Sequence, residues 1–249
     1  MNKNRFIAHG YSLGNRVTGI NEDVFRIDSE TGIYVVSDGL GGHDRGVLAS
    51  QMACSLIPQF AHSFSMETQA TWPFEKQENL TLEENYVRLL LLKTNTKIVE
   101  RARYDHVFEN MGSSVLLLMT LADRFIVANV GNCRAYLYRK SDLFQLTQDD
   151  SLAEYKKIKP THAHTNIPLQ FMGKSDPLSI RSIDTKVPKV KDIYLLLSSG
   201  VLNALSDTEI HDHLNNVQKF ETLSKTLVTA ASQKTNAYDL TCLAVLFSG

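Results

Sequence analysis

The spacing of apolar residues changes along the chain, and each spacing predicts a different element. Residues 32–37, Gly-Ile-Tyr-Val-Val-Ser, form a short β-branched run that halts at Asp38-Gly39. A run of that kind, stopped by a strong turn pair, predicts a buried strand. Beyond the glycine-rich stretch 40–46, Leu48, Met52 and Leu56 recur on one helical face. They predict a helix over 47–57, with Pro58 expected to end or kink it. Residues 62–80 read as a loop. Thr81-Leu82-Glu83-Glu84 has the form of a capping box and opens a second, longer helical pattern to residue 103.

The period then falls to two. Residues 113–121, 125–130, 134–138 and 143–146 alternate as strands with short connections, which predicts an antiparallel meander. A polar connector follows over 151–165. Residues 193–197 and 241–247 predict two more buried strands, with helices over 206–214 and 220–232 between them. Strands arrive in consecutive runs rather than alternating with helices. The layer rule then gives an α+β fold, with antiparallel sheets packed on one another and helices outside.

Composition narrows the class. With 249 residues, 43% of them hydrophobic, the chain can fill one core and is expected to be a single domain over 1–249. A net charge of −1 gives no basic excess for nucleic acid. The longest apolar run, 115–119, is too short to span a bilayer, and residues 1–9 resemble neither signal nor anchor. The three cysteines, Cys54, Cys133 and Cys242, are scattered, as expected of a reducing compartment. A cytoplasmic monomer without membrane or nucleic-acid partners is the expectation.

The candidate chemistry lies in carboxylates flanking apolar runs: Glu22-Asp23, Asp38 and Asp239. If they converge, they repel one another unless cations neutralise them, and hard oxygen ligands favour Mg²⁺ or Mn²⁺ over zinc. Gly39, lacking a side chain, could bring its carbonyl close to a metal. Each residue alone is more often a solvated turn carboxylate than a ligand.

The order of motifs carries more weight. Asn21-Glu22-Asp23, then residues 36–43 as Val-Ser-Asp-Gly-Leu-Gly-Gly-His, then Met111-Gly112-Ser113-Ser114 and Gly131-Asn132-Cys133-Arg134 stand in that order. Residues 146–152, 166–173 and 192–200 follow, and Asp239-Leu240-Thr241 closes the series. Together they resemble the metal-dependent type 2C (PPM) serine/threonine protein phosphatases, in their bacterial form. The resemblance spans nearly the whole chain. It implies a sandwich of two antiparallel sheets flanked by helices, and two ions, Mn²⁺ or Mg²⁺, holding a water that attacks phosphoserine or phosphothreonine directly. It implies Asp38 as the bridging ligand, Gly39 through its carbonyl, Glu22 and Asp23 directly or through waters, and Asp239 as the late ligand. His43 matches a histidine of the family's glycine loop, as a functional group or as a loop hydrogen-bonder. The implied partners are a phosphoprotein substrate and a cognate serine/threonine kinase.

Five departures qualify the resemblance. Ser199 and Asn132 stand where the family has aspartates that together hold a third, weaker metal, so that site is expected to be lost. The substrate-phosphate arginine is displaced: Thr18 occupies its place, and Arg16 could take the role through a bulge at Gly19. Asp150 and Leu240 replace a usual histidine and asparagine. The competing expectation is a pseudophosphatase, a phosphoprotein- or kinase-binding module that keeps the fold.

Overall fold

The computed structural model describes residues 5–42, 44–64, 73–158, 167–175, 178–180 and 182–249. In chain order, β1 (Phe6–Leu13), β2 (Val24–Asp28) and β3 (Ile33–Leu40) precede helices α1 (Asp44–Ser63) and α2 (Leu82–Tyr104). Next come β4 (Gly112–Thr120), β5 (Phe125–Val130), β6 (Arg134–Arg139), β7 (Asp142–Gln145) and the short α3 (Leu152–Lys156). The chain closes with β8 (Ser182–Lys186), β9 (Ile193–Leu197), α4 (Ser199–Ala204), α5 (Asp207–Asn216), α6 (Leu223–Lys234) and β10 (Leu240–Phe247). The strands make two five-stranded antiparallel sheets, in the orders β1-β10-β9-β6-β7 and β2-β3-β4-β5-β8.

The continuous apolar runs have a two-sided explanation. In a strand, successive side chains face opposite ways, and the central strands here are covered on both faces. From β3, Tyr34 and Val36 enter the layer between the sheets, while Ile33 and Val35 meet α1 and α2. In β4, Leu116 and Leu118 point between the sheets and Val115, Leu117 and Met119 point to the same helices. On the other sheet, Leu243 and Val245 of β10 face inward, and Cys242 and Ala244 face α4–α6. Each valine, leucine, isoleucine or methionine among them contributes roughly 1.5–3 kcal/mol by leaving water. The result is a helix–sheet–sheet–helix stack with three apolar layers. One cysteine sits in each: Cys54 on the buried face of α1, Cys133 between the sheets and Cys242 under α6. All three thiols are free and buried.

The expected α+β sandwich stands, with local corrections. The predicted meander breaks at residues 131–133: β5 belongs to one sheet and β6 to the other, so Gly131, at φ +106°, turns the chain across the sandwich rather than into a hairpin. Helix α1 runs past Pro58 to Ser63. The proline sacrifices a helical hydrogen bond, but Phe60 and Ala61 pack on the core, and the Tyr86 hydroxyl donates to the Ala61 and Phe64 carbonyls at 3.1 and 2.7 Å. The α2 capping box forms as expected, with Thr81 Oγ1 accepting from Glu84 N and Glu84 Oε2 accepting from Thr81 N. The connector expected over 151–165 contains α3, capped by Ser151 Oγ. No helix of the described residues is long and apolar enough to cross a membrane.

Candidate metal centre

Antiparallel pairing brings the predicted carboxylates to one end of the sandwich. Asp38 lies near the end of β3, whose partner β2 begins just after Glu22-Asp23; Val24 pairs with Ser37. On the opposite sheet Asp239 precedes β10, and Ser199 follows β9, with Cys242 paired to Leu197. A cleft of about 260 Å³ opens there, lined by Glu22, Asp38, Gly39, Ser199 and Asp239 together with Asn15. Its walls come from both sheets.

Close backbone contacts shape the cleft. A Cβ on Gly39 would stand 2.6 Å from the Gly46 carbonyl oxygen and 2.7 Å from that of Glu22. Gly46 in turn leaves room for Glu22 Oε2, which lies 1.8 Å from where its Cβ would be. The Gly39 N–H donates to the Glu22 carbonyl at 3.2 Å. These contacts tie the early acidic pair to the end of β3 and the start of α1.

The carboxylates find donors within the chain. Asp38 Oδ2 accepts from Ser199 N at 3.0 Å and from Ser199 Oγ at 2.5 Å. Asp239 accepts from Asn15 N at 2.6 Å on Oδ1 and from Glu22 N at 2.9 Å on Oδ2. Asp23 lies beneath the cleft floor, 5% exposed, and its Oδ2 has no hydrogen-bond partner. Burial, then the charges of Asp38 and Asp239, push the Asp23 carboxyl well above the ordinary carboxylate range, against the pull of the Ser198 and Thr241 hydroxyls. Burial raises Asp38 too, with Asp239 adding to it and the Ser199 bonds opposing.

These residues fit a divalent cation. Among the described residues that line the cleft the side-chain donors are oxygen and none is lysine or arginine, and the buried Asp23 carries a carboxylate oxygen with no hydrogen-bond partner. Among the described residues no three His, Cys, Asp or Glu side chains are drawn into a finished cage; Ser199 holds Asp38, and backbone amides hold Asp239.

Other predicted residues fall outside the cleft. Arg16 is exposed in the turn beside Asn15, where Gly19 takes φ +71° and Gly19 N donates to the Asn15 carbonyl at 2.9 Å. Asn132 is 4% exposed and accepts from Ser114 Oγ at 3.0 Å, near the chain crossing between sheets. His43 and Asn166 lie outside the described residues. Asn15 is the site residue that sequence reasoning missed. Its signal was the pair Gly14-Asn15, since Asn15 Oδ1 accepts from Val17 N and Thr18 N as asparagine does in turns.

The raised carboxyls have a consequence for stability. A carboxyl that holds its proton more tightly folded than unfolded stabilises the fold while protonated, and that contribution is lost as pH rises from the ordinary carboxylate value toward the raised one. The metal-free protein is therefore expected to melt at lower temperature at pH 7 than at pH 5, and Asp23→Asn should flatten this slope. Asp28 and Glu209, shifted the opposite way, finish titrating below that window. Thermal melts in chelator check it; a wild-type slope no steeper than that of Asp23→Asn would contradict it.

Comparison with known proteins identifies the family. A family model for protein phosphatase 2C matches residues 16–243. The serine/threonine phosphatase stp of Listeria welshimeri serovar 6b is 28% identical over 244 residues, covering 92% of this chain and 91% of that protein. PppA, described as a key regulatory component of T6SS in Pseudomonas aeruginosa, superposes with a TM-score of 0.80 at 22% identity, over 97% of each chain. The catalytic domain of the phosphatase PstP, solved with 2 manganese ions, gives 0.78 at 20% identity over 98% of this chain and 99% of that one. With a family model covering most of its length and the sandwich and cleft in place, the chain belongs to the protein phosphatase 2C family.

Proposed function

We propose that the protein is a metal-dependent serine/threonine protein phosphatase, one domain over residues 1–249, acting on phosphoserine or phosphothreonine in protein substrates. The observation that carries this reading is the meeting of Asp38, Asp239 and Glu22, from both sheets, in one cleft whose described lining includes no lysine or arginine. Asp38 and Asp239 are the residues that would hold Mn²⁺ or Mg²⁺, with Glu22 beside them, Asp23 beneath and the Gly39 backbone at the rim. The bound ions, two by analogy with PstP, would supply Lewis acidity and lower the pKa of the attacking water. The side chains do the positioning. Asp239, fixed by two backbone N–H groups, ties the β10 wall to the β2 wall. Ser199 orients Asp38 through Oδ2 and leaves Oδ1 clear of that contact. Arg16, one residue from the cleft-lining Asn15, is assigned to the substrate phosphate, which a guanidinium grips with two N–H groups. A cytoplasmic monomer working against a cognate serine/threonine kinase completes the proposal.

The test is hydrolysis of an aryl phosphate and a phosphothreonine peptide by purified protein, with Mn²⁺, with Mg²⁺ and with chelator. Turnover that requires metal supports the reading. The hold of Ser199 on Asp38 favours a second one, a pseudophosphatase that binds phosphoproteins or kinases. Metal binding by calorimetry without turnover would select it.

Ser199→Asp separates the roles of this residue. Without metal, the variant exchanges a hydrogen bond to a charged group, worth about 2 kcal/mol, for carboxylate repulsion, and its melting temperature should fall. With Mn²⁺, affinity should rise about tenfold, roughly 1.4 kcal/mol. Equal affinity in wild type and variant would show that position 199 does not face the ion.

A further inference from the structure

After β1 the chain leaves its sheet at Gly14, turns over residues 15–19 and returns to Glu22-Asp23. Arg16, Val17, Thr18 and Gly19 are exposed there, and a short exposed turn is ordinarily among the most mobile parts of a fold. Here Asn15 holds it. Its carboxamide Oδ1 accepts from Val17 N at 2.8 Å and Thr18 N at 3.2 Å, and its carbonyl accepts from Gly19 N at 2.9 Å, which closes the turn. Its Nδ2 donates to the Ala237 carbonyl at 2.8 Å, which fastens the turn to the segment that delivers Asp239. Arg16 N adds a bond to the Asn236 carbonyl at 3.1 Å, and Asn15 N donates to Asp239 Oδ1 at 2.6 Å.

The side chain of Arg16 takes no part in this clamp. Among the described residues its guanidinium has no hydrogen-bond or ion-pair partner, and it is carried one residue from Asn15, which lines the cleft. A fixed main chain bearing an unspent guanidinium loses little further freedom when an anion arrives, so the fold has already met part of the ordering cost of binding. A carboxamide suits both tasks: one atom accepts from the turn amides, and the other donates to a carbonyl of the neighbouring segment. Serine could keep the first of these and not the second; alanine keeps neither.

We propose that Asn15 is a positioning residue for the substrate phosphate: its carboxamide holds the turn that carries Arg16 in register with Asp239. The inference rests on the phosphatase reading above, in which Arg16 takes the phosphate and Asp239 the metal. It makes the two halves of the site separable. The backbone N–H of residue 15 serves Asp239 whatever side chain stands there, while the carboxamide serves the turn of Arg16. Truncating the side chain therefore weakens phosphate binding and spares the metal.

The test is a double-mutant cycle on hydrolysis of a phosphothreonine peptide with saturating Mn²⁺. Asn15→Ala should raise KM roughly tenfold and leave kcat within about twofold of wild type. Its Mn²⁺ affinity, read by calorimetry, should also stay within about twofold. Arg16→Ala should give a similar rise in KM, and the double variant should be no worse than Arg16→Ala alone, because residues that act through one another are not additive. A merely structural role for Asn15 would add to the loss of Arg16. Asn15→Ser, without the reach to Ala237, should raise KM as well, and it serves if Asn15→Ala fails to fold. A wild-type KM in either Asn15 variant, an additive double variant, or a loss of Mn²⁺ affinity that accounts for the lost turnover would overturn the proposal. If the wild type shows no turnover, the phosphatase reading fails, and the same cycle is read from anisotropy of a labelled phosphothreonine peptide with Mn²⁺. Binding weakened about tenfold by Asn15→Ala, and no further in the double variant than by Arg16→Ala alone, would then keep the role of Asn15.

Discussion

Asp38→Ala is expected to remove metal-dependent phosphatase activity, lowering kcat/KM by roughly 1,000-fold, about 4 kcal/mol of barrier. Asp38, near the end of β3, lines the cleft and reaches across to Ser199, at the start of α4 just after β9 of the opposite sheet. The fold should survive. The alanine removes a buried, repelled carboxylate, which is favourable, and orphans the Ser199 N–H and O–H, which is not; the two effects oppose one another. Calorimetry with Mn²⁺ separates loss of metal from loss of structure: the variant should melt near wild type in chelator yet bind the ion far more weakly. Full activity in a folded Asp38→Ala protein would dismantle the proposed centre.

Gly200→Ala should act on structure and activity together. A Cβ at this position would stand 2.0 Å from the Asp239 carbonyl oxygen and 2.9 Å from Tyr238 Cβ. The obstacle is backbone, so no side-chain rotation relieves it. Helix α4 must part from the segment before β10, and Ser199 and Asp239 would separate with them. Overpacking of this severity costs about 3 kcal/mol or more, a large share of a typical domain's ~5–15 kcal/mol. Urea denaturation should show the loss, and metal affinity should drop in the protein that remains folded. A Gly200→Ala protein as stable as wild type would mean that α4 and the Asp239 segment are not locked together as described.

The sequence made the central strands legible and the edges obscure. Strands β3, β4, β5, β9 and β10 are covered on both faces or paired on both sides, and their near-continuous apolar runs announced them. The unassigned strands, β1, β2 and β8, all lie at sheet edges. An edge strand needs pairing on one side only and tolerates polar residues, so Phe-Ile-Ala-His-Gly-Tyr-Ser-Leu in β1 carries no clean period. The break at 131–133 was hidden for another reason: a turn between sheets and a turn within one use the same glycine. At the site, motif order pointed to Glu22, Asp38 and Asp239, and the fold brings these three to one cleft. It could not show that Ser199 would grip Asp38, that Asp23 would lie below the cleft, or that Asn15 would anchor Asp239. Those depend on how the ends of two separate sheets meet.

The three buried cysteines equip the molecule with its own reporters. Burial pushes the Cys242 thiol up to about 12 and raises the Cys54 and Cys133 thiols well above the ordinary range, so at neutral pH none offers a thiolate to an alkylating reagent or to peroxide. Labelling of the native protein then has to wait for local opening. Because each cysteine belongs to a different stratum of the stack, the rate at which each is modified reads the opening of that stratum alone. Mass spectrometry of timed alkylation would thus rank which seam of the sandwich loosens first, with no engineered probe.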